Sequence, residues 1–200
     1  LYLTTMKLKR TIVFLGIILI FSANSAYSFW IWSVKDKKWK NPESSPLASP
    51  KMQFDKAVTA FDKQQYKQAY KEFKKVISYY PDSKQSPEAQ FYIGQCFEKL
   101  GDMYRAYQEY QKVIDSYPYS RRIEEIIARE YDISEYFLNK EGKKLLGIPL
   151  DDFFEHPSIE IFKKIIENSP YSEYAIKSQY KLGILYSNLG MFDDSINTFK

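Results

Sequence analysis

From Lys51 onwards, apolar residues recur at the spacing of three and four positions that is typical of amphipathic helices. Ile93 and Phe97, for example, lie one turn apart on the same face of a predicted helix. Gly101 then supplies a helix stop, and Pro118 ends the helix that follows. The pattern predicts antiparallel helix pairs, and a single pair cannot bury both of its faces, so neighbouring pairs must stack.

An internal repeat supports this interpretation. Residues 69–83 return 37 positions later as residues 106–120, with nine of fifteen positions identical, and a shorter copy covers residues 162–172. Residues 90–94 return 89 positions later as residues 179–183.

The repeats predict four units, and the last of these stops inside its second helix. We place the units at about 50–86, 87–120, 121–175 and 176–200. The third is interrupted, because its predicted helices, at 121–138 and 158–168, are separated by 18 residues more than a standard unit holds. We therefore expect the native chain to continue beyond Lys200.

The N-terminal segment has the form of a secretory signal peptide. Basic residues around Lys7 precede an uncharged apolar run of 11 residues, and Ala26-Tyr27-Ser28 forms the expected cleavage site, so Phe29 would begin the mature chain. A retained membrane anchor is the alternative, although a helix of that length spans only about 16 Å. We assign residues 1–28 to the signal peptide, 29–50 to an extended Trp- and Pro-containing leader, and 51–200 to the repeat domain.

Composition excludes several function classes. The chain has a single Cys and a single His, which excludes structural zinc sites, iron–sulfur clusters and intrachain disulfides. Beyond residue 28 it has 26 basic and 25 acidic residues, which indicates no nucleic-acid partner. Cys96 is predicted to be an inert core thiol, and His156, in a polar loop, to mark a helix start. We find no catalytic constellation, so we predict a protein that is not an enzyme and has no cofactor and no metal.

The repeat units resemble tetratricopeptide repeats. The resemblance depends on small residues near the middle of each first helix, aromatic residues three positions later, small residues that open each second helix, glycines between helices, and prolines at unit ends. These are Ala57, Gly94, Ala128 and Gly183; Phe97, Tyr131 and Tyr186; Ala69, Ala106, Ser158 and Ser195; Gly101 and Gly190; and Pro81, Pro118 and Pro170. The resemblance implies an all-α fold, a solenoid of helical hairpins.

A narrower resemblance follows from the arrangement of these parts. A signal peptide, a Trp-rich leader, repeats of the form Lys-Val-Ile-x-x-Tyr-Pro-x-Ser and an interrupted third unit are together similar to the BamD/YfiO-type outer-membrane assembly proteins. That resemblance implies a periplasmic adaptor whose partners are periplasmic or outer-membrane proteins, including a barrel-assembly partner. No lipid-acceptor Cys follows the apolar run, so we expect membrane association to be indirect.

Two other functions remain open at this point. One is a different envelope scaffold, for division or cell-wall coordination, although the leader is too short and Pro-interrupted for the coiled coil of the CpoB/YbgF family. The other is the docking module of a longer enzyme.

In the tetratricopeptide-repeat architecture the first helices line a concave groove, and this places the candidate protein- or peptide-binding residues. They are Phe54, Phe61, Phe91, Gln95, Arg122, Arg129 and Tyr180. Alternatively, the leader covers Phe54 and Phe61, so that these two rings do not line an open groove. Arg122 and Arg129, which form the charged face of the third unit with Asp132, either dock a partner or pair locally with Glu125.

Overall fold

The computed structural model describes residues 31–33, 37–40, 45–139, 144–145, 148–149 and 156–200. The predicted signal peptide lies outside these residues. The chain divides into two compact units, residues 1–45 and 46–200. In the first, strand β1 (Ile31–Ser33) pairs antiparallel with β2 (Lys38–Lys40), and Trp32 lies opposite Trp39. The described part of the leader is therefore a hairpin, whereas the sequence predicts only an extended segment.

The second unit contains eight helices among its described residues. They are α1 (Pro50–Asp62), α2 (Tyr66–Tyr79), α3 (Ser86–Lys99), α4 (Met103–Ser116), α5 (Ile123–Asn139), α6 (Pro157–Asn168), α7 (Glu173–Asn188) and α8 (Phe192–Thr198). Each helix packs on the next along the chain. Two short strands, β3 (Lys144–Leu145) and β4 (Ile148–Pro149), pair between α5 and α6. The predicted all-α fold of stacked helical hairpins is confirmed.

Local signals determine where the helices begin and end. Ser49 caps α1 by accepting a hydrogen bond from the Met52 amide at 3.2 Å, and Ser172 caps α7 in the same way. Gly101 and Gly190 turn the chain between helices with φ of +80° and +75°, a backbone conformation that residues with a Cβ atom rarely adopt. The two glycines therefore end α3 and α7 at the same point of their hairpins.

An aromatic pair recurs between the two helices of every hairpin and defines the register of the repeat. The pairs and their ring-centroid distances are Phe54–Phe73 at 5.5 Å, Phe91–Tyr110 at 5.7 Å, Tyr131–Phe162 at 6.0 Å and Tyr180–Phe199 at 6.3 Å. The partners are 19 positions apart in three hairpins and 31 apart in the third. The third hairpin therefore contains 12 extra residues, which corrects the predicted 18.

The same comparison corrects the register of α5. Tyr131 occupies the position of Phe91, and Ser134, rather than Ala128, occupies the position of Gly94 and Gly183. The Ser158 hydroxyl donates to the Ser134 carbonyl at 2.8 Å, as the Ser195 hydroxyl does to the Gly183 carbonyl at 2.9 Å. The sequence is ambiguous here because α5 is one turn longer than α3 and offers a small residue followed three positions later by an aromatic one twice.

A buried amide links the two helices of the first two hairpins. Gln53 Nε2 donates to the Glu72 carbonyl at 3.1 Å and to its carboxylate at 2.7 Å. Gln90 makes the same two bonds to Glu109, at 3.0 and 2.8 Å. In the third hairpin the equivalent position, four residues before Ser134, is occupied by Glu130, which is fully buried. The repeat at 90–94 contained this glutamine, but spacing alone did not show that its amide is buried.

Candidate protein-binding surface

The aromatic residues predicted in the groove of the first unit are half-buried by neighbouring helices. Phe54 contacts Tyr92 edge to face at 5.9 Å, and Phe61 contacts Tyr66 at 5.4 Å and Tyr92 at 5.3 Å. Their described contacts are with α2 and α3, so these helices cover the rings that the sequence analysis placed either in an open groove or under the leader. Both side chains are partly exposed, so part of their surface remains for a ligand.

Phe91, which the sequence analysis places in the groove, is buried. Its ring is 1% exposed and lies between Tyr110 on one side and two guanidinium groups on the other. Arg122 and Arg129 lie 4.7 and 5.5 Å from its centroid, within cation–π range. The prediction that Phe91 lines the open groove is therefore wrong, because Arg122, directly before α5, and Arg129, within α5, cover its ring.

The two arginines belong to an ion-pair network that joins α3 to α5. Arg122 pairs with Glu88 at 2.9 Å and with Glu125 at 2.7 Å. Arg129 pairs with Glu98 and with Glu125, both at 2.9 Å. The predicted local pairing with Glu125 is present, and bonds to a second helix are added to it.

The electrostatics of this network favour the charged forms. Burial opposes the ionisation of Glu125, but hydrogen bonds from Arg129 and Arg122 outweigh it and lower the pKa of the carboxyl. The hydrogen bond to Glu88 raises the pKa of Arg122. The pairing with Glu125 that the sequence analysis gave as the alternative is therefore present, whereas docking of a partner through Arg122 and Arg129 stays a prediction.

The register of α5 changes which residues of the third unit share the groove positions. They are Tyr131, Glu135 and Leu138, in place of Glu125, Arg129 and Asp132. Lys181 of α7 pairs with Glu135 at 3.0 Å, and the ring of Tyr131 contacts that of Tyr174 at 5.6 Å. Gln95, on α3, is half-buried. This part of the groove is polar and largely paired within the chain.

The last hairpin exposes the largest apolar side chains of the predicted groove. Tyr180 is 60% exposed and Ile184 37% exposed, one turn apart on α7. Phe192 and Ile196 of α8 are also exposed. Tyr180 occupies the repeat position of Phe91, whose cover comes from the unit that follows it along the chain.

Sequence reasoning missed a cleft between two turns of the chain. Its volume is about 730 Å³, and it lies between the α4–α5 turn and the α6–α7 turn, with Ile123, Ile127 and Tyr174 in its wall. Tyr171, at its edge, is 99% exposed. The repeated Pro-Tyr-Ser at 118–120 and 170–172 was the available signal, because the first copy has Asp82 in place of the tyrosine.

The residues considered for chemistry have structural surroundings. Burial raises the pKa of Cys96 to about 12, as expected for an inert core thiol. His156 caps α6, since its Nδ1 accepts a hydrogen bond from the Ser158 amide at 3.3 Å. Across the described ranges, no group of His, Cys, Asp and Glu could hold a metal ion, and no helix is long and apolar enough to cross a membrane.

Comparisons with known proteins give one family match and several similar solved structures. The model of a tetratricopeptide repeat family matches residues 51–83 and 88–120. No curated protein sequence matches the chain. Among solved structures, a MamA protein is 18% identical, with 76% of this chain and 74% of that chain covered at a TM-score of 0.42. A tetratricopeptide repeat protein from Parabacteroides merdae is 13% identical, with 75% of this chain and 50% of that chain covered at 0.45. A thermophilic protein of the same kind from Thermus thermophilus is 16% identical, with 75% and 71% covered at 0.37.

The two matched stretches coincide with the α1–α2 and α3–α4 hairpins. The two later hairpins keep the same inter-helix aromatic pair. Two hairpins of the chain therefore match the tetratricopeptide repeat model, within a fold of stacked helical hairpins that is typical of scaffolds for protein–protein interaction.

Proposed function

We propose that the protein is an exported, non-catalytic adaptor that holds partner proteins in the periplasm during outer-membrane protein assembly. The observation that carries the adaptor role is the stack of helical hairpins, two of which match the tetratricopeptide repeat model at residues 51–83 and 88–120. Stacked hairpins of this kind create extended concave surfaces that bind proteins. Tyr180 and Ile184, at candidate groove positions of α7, are 60% and 37% exposed.

Tyr180 is the candidate groove residue that the test below uses. It lies at the repeat position of Phe91, and its ring contacts that of Phe199 at 6.3 Å. Tyrosine has a large apolar face and a hydroxyl, a combination enriched at protein interfaces.

The assembly role is supported by the arrangement of the chain. The signal-peptide pattern favours export, and the segment of 12 extra residues in the third hairpin agrees with the interrupted third unit of the BamD/YfiO-type resemblance. Partners would be the periplasmic domains of a barrel-inserting membrane protein.

Site-specific photo-crosslinking in cells that export the protein tests the proposal. A photoreactive residue replaces Tyr180, and a second variant carries it at Tyr79, which is similarly exposed but lies on α2. We expect crosslinks from position 180, and not from position 79, to a membrane protein that inserts barrels. Depletion of the protein should then lower the amount of folded outer-membrane barrels. Crosslinks to division or cell-wall enzymes, with normal barrel levels, would support the other envelope scaffold instead.

A further inference from the structure

A pair of exposed tryptophans in the leader takes no part in the surface described above. Trp32 and Trp39 lie opposite each other in the β1–β2 hairpin, with their rings 5.6 Å apart and edge to face. They are 47% and 61% exposed. Exposed tryptophan is unfavourable in water and favourable at the boundary between lipid headgroups and acyl chains, where its ring is buried and its N–H is solvated.

Basic residues surround this pair in the sequence. Strand β2 reads Lys38-Trp39-Lys40, and Lys37, in the turn before it, is exposed. Aromatic residues combined with lysines are the composition of segments that lie in the interface of anionic bilayers.

A stripe of lysines lies on the exposed face of α2. Lys67, Lys71 and Lys74 follow the i, i+4, i+7 spacing of one helix face, and all three are exposed. The opposite face of α2 is buried and contains Phe73 and Val76. The stripe is therefore separate from the residues that hold the hairpin together.

The repeat itself shows that these lysines are not needed for folding. The equivalent positions on α4 hold the uncharged residues Tyr104, Gln108 and Gln111. Residues 46–86 contain eight lysines and four acidic residues, whereas residues 87–200 contain fourteen basic and nineteen acidic residues. Within the repeat domain, the excess of basic over acidic residues is thus confined to the first hairpin, although the repeat units share one architecture.

We propose that the protein binds directly to the surface of an anionic phospholipid bilayer, with Trp32 and Trp39 in the interface and the α2 lysines facing the headgroups. A bilayer is a continuous surface, so each element can contact it independently. Stable attachment without a membrane-spanning helix usually needs two signals, and these are an apolar and an electrostatic one. The leader itself combines the tryptophan pair with Lys37, Lys38 and Lys40, a composition that favours lipid over an acidic protein. This proposal does not depend on the adaptor function, and it replaces the indirect association expected from the absence of a lipid-acceptor Cys.

Vesicle binding of the purified, exported protein tests the proposal. The probes are vesicles of phosphatidylcholine alone and vesicles that also contain phosphatidylglycerol. We expect binding to the anionic vesicles only, and release by high salt. All three tryptophans of the chain, at positions 30, 32 and 39, lie in the leader, so tryptophan fluorescence reports on this segment. Bound protein should show a blue shift and quenching by brominated lipid.

Two sets of variants distinguish the effect of the α2 lysine stripe on vesicle binding from the effect of total positive charge. Replacing Lys67, Lys71 and Lys74 with Gln should weaken vesicle binding about 100-fold, since a lysine near an anionic surface contributes about fivefold in affinity. Replacing Lys99, Lys164 and Lys177 with Gln removes the same charge elsewhere and should change affinity only slightly. Trp32→Thr with Trp39→Thr, which keeps strand-forming residues, should reduce binding further.

Three outcomes would overturn the proposal. The first is no binding to anionic vesicles, and the second is an equal loss in both lysine triples. The third is binding without a tryptophan blue shift, which would mean that the leader stays in water. If the lysine variants instead bound vesicles normally but no longer formed a crosslink to an acidic protein, the stripe would be a protein-docking surface. Circular dichroism of every variant checks that the helices are intact.

Discussion

Gly94 faces the ring of Tyr110 so closely that a Cβ atom at position 94 would lie 2.3 Å from Tyr110 Cε1. The ring is fully buried, and its hydroxyl donates to Glu98 at 2.8 Å, so it cannot turn away without losing that bond. The last hairpin repeats the relationship between Gly183 and the ring of Phe199, also at 2.3 Å. A glycine inside a helix costs about 1 kcal/mol relative to alanine, and the close packing of a ring offsets that cost.

This contact predicts a large effect of added volume. Gly94→Leu should lower the free energy of unfolding by about 1–3 kcal/mol or more, because the side chain would displace the Tyr110 ring. Ser187→Leu, at an exposed position of α7, should change it by no more than about 0.5 kcal/mol. Midpoints of denaturant unfolding measure both. Equal losses would show that the register of the second hairpin is wrong.

Short-range patterns in the sequence were enough to predict the hairpins and the close contact at Gly94. Helix periodicity and the 37-residue repeat report on residues within one unit, and these features are correct. The burial of Phe91 could not be predicted in this way, because its cover consists of Arg122 and Arg129 from the next unit. Spacing shows which face a residue shares, but not which long side chain reaches across it.

The third unit shows a second limit of pattern matching. Ala128 with Tyr131 and Ser134 with Phe137 offer the same small-plus-aromatic signal six residues apart on one helix. Two contacts of the folded hairpin decide between them, the ring contact of Tyr131 with Phe162 and the hydrogen bond from Ser158 to Ser134. Candidate groove residues that depended on that register were therefore displaced, whereas Tyr180, in an unambiguous repeat, has the ring partner expected from the register, Phe199.

The ion-pair network predicts that Arg129 is a stabilising residue. Arg129→Glu should lower the free energy of unfolding by about 1–3 kcal/mol, because it places a third carboxylate beside Glu98 and Glu125 in a partly buried site. Lys177→Glu, which breaks the exposed pair with Glu173, should leave the free energy of unfolding almost unchanged. A double-mutant cycle of Arg129 and Glu98 measures the coupling. A coupling near zero would mean that the network is ordinary solvated surface.

The surroundings of Cys96 predict an unreactive thiol. Its side chain is fully buried, and burial raises its pKa to about 12, so the thiolate is scarce at neutral pH. A thiol reagent should label the native protein only after unfolding in denaturant. Labelling of the native protein as fast as that of the unfolded chain would contradict the placement of Cys96 in the core.

The N-terminal pattern predicts removal of residues 1–28 on export. N-terminal sequencing of the exported product should give Phe29 as the first residue. Intact residues 1–28 in the membrane fraction would instead support the retained anchor.

Glu130 predicts an unusual pH dependence of stability. It occupies the position of Gln53 and Gln90, and its Oε1 accepts a hydrogen bond from Gln111 at 2.8 Å. Its Oε2 is buried without a hydrogen-bond partner among the described residues. Burial raises the pKa of this carboxyl from 4.5 to about 8, so the folded state favours the protonated form.

The sign of the effect follows from the direction of that shift. The stability due to protonated Glu130 is fully present below about pH 4.5 and is lost as the pH rises through about 8. Glu130→Gln keeps the shape, removes the charge and restores the amide found in the other hairpins. Above pH 8 it should therefore raise the free energy of unfolding by about 1–3 kcal/mol, with little gain at pH 4. Denaturant unfolding of wild type and variant between pH 4 and 9 measures this difference. Glu167→Gln, at a largely exposed site on α6, should leave the pH profile unchanged. Parallel profiles for wild type and Glu130→Gln would mean that Glu130 is ionised in the folded protein without cost.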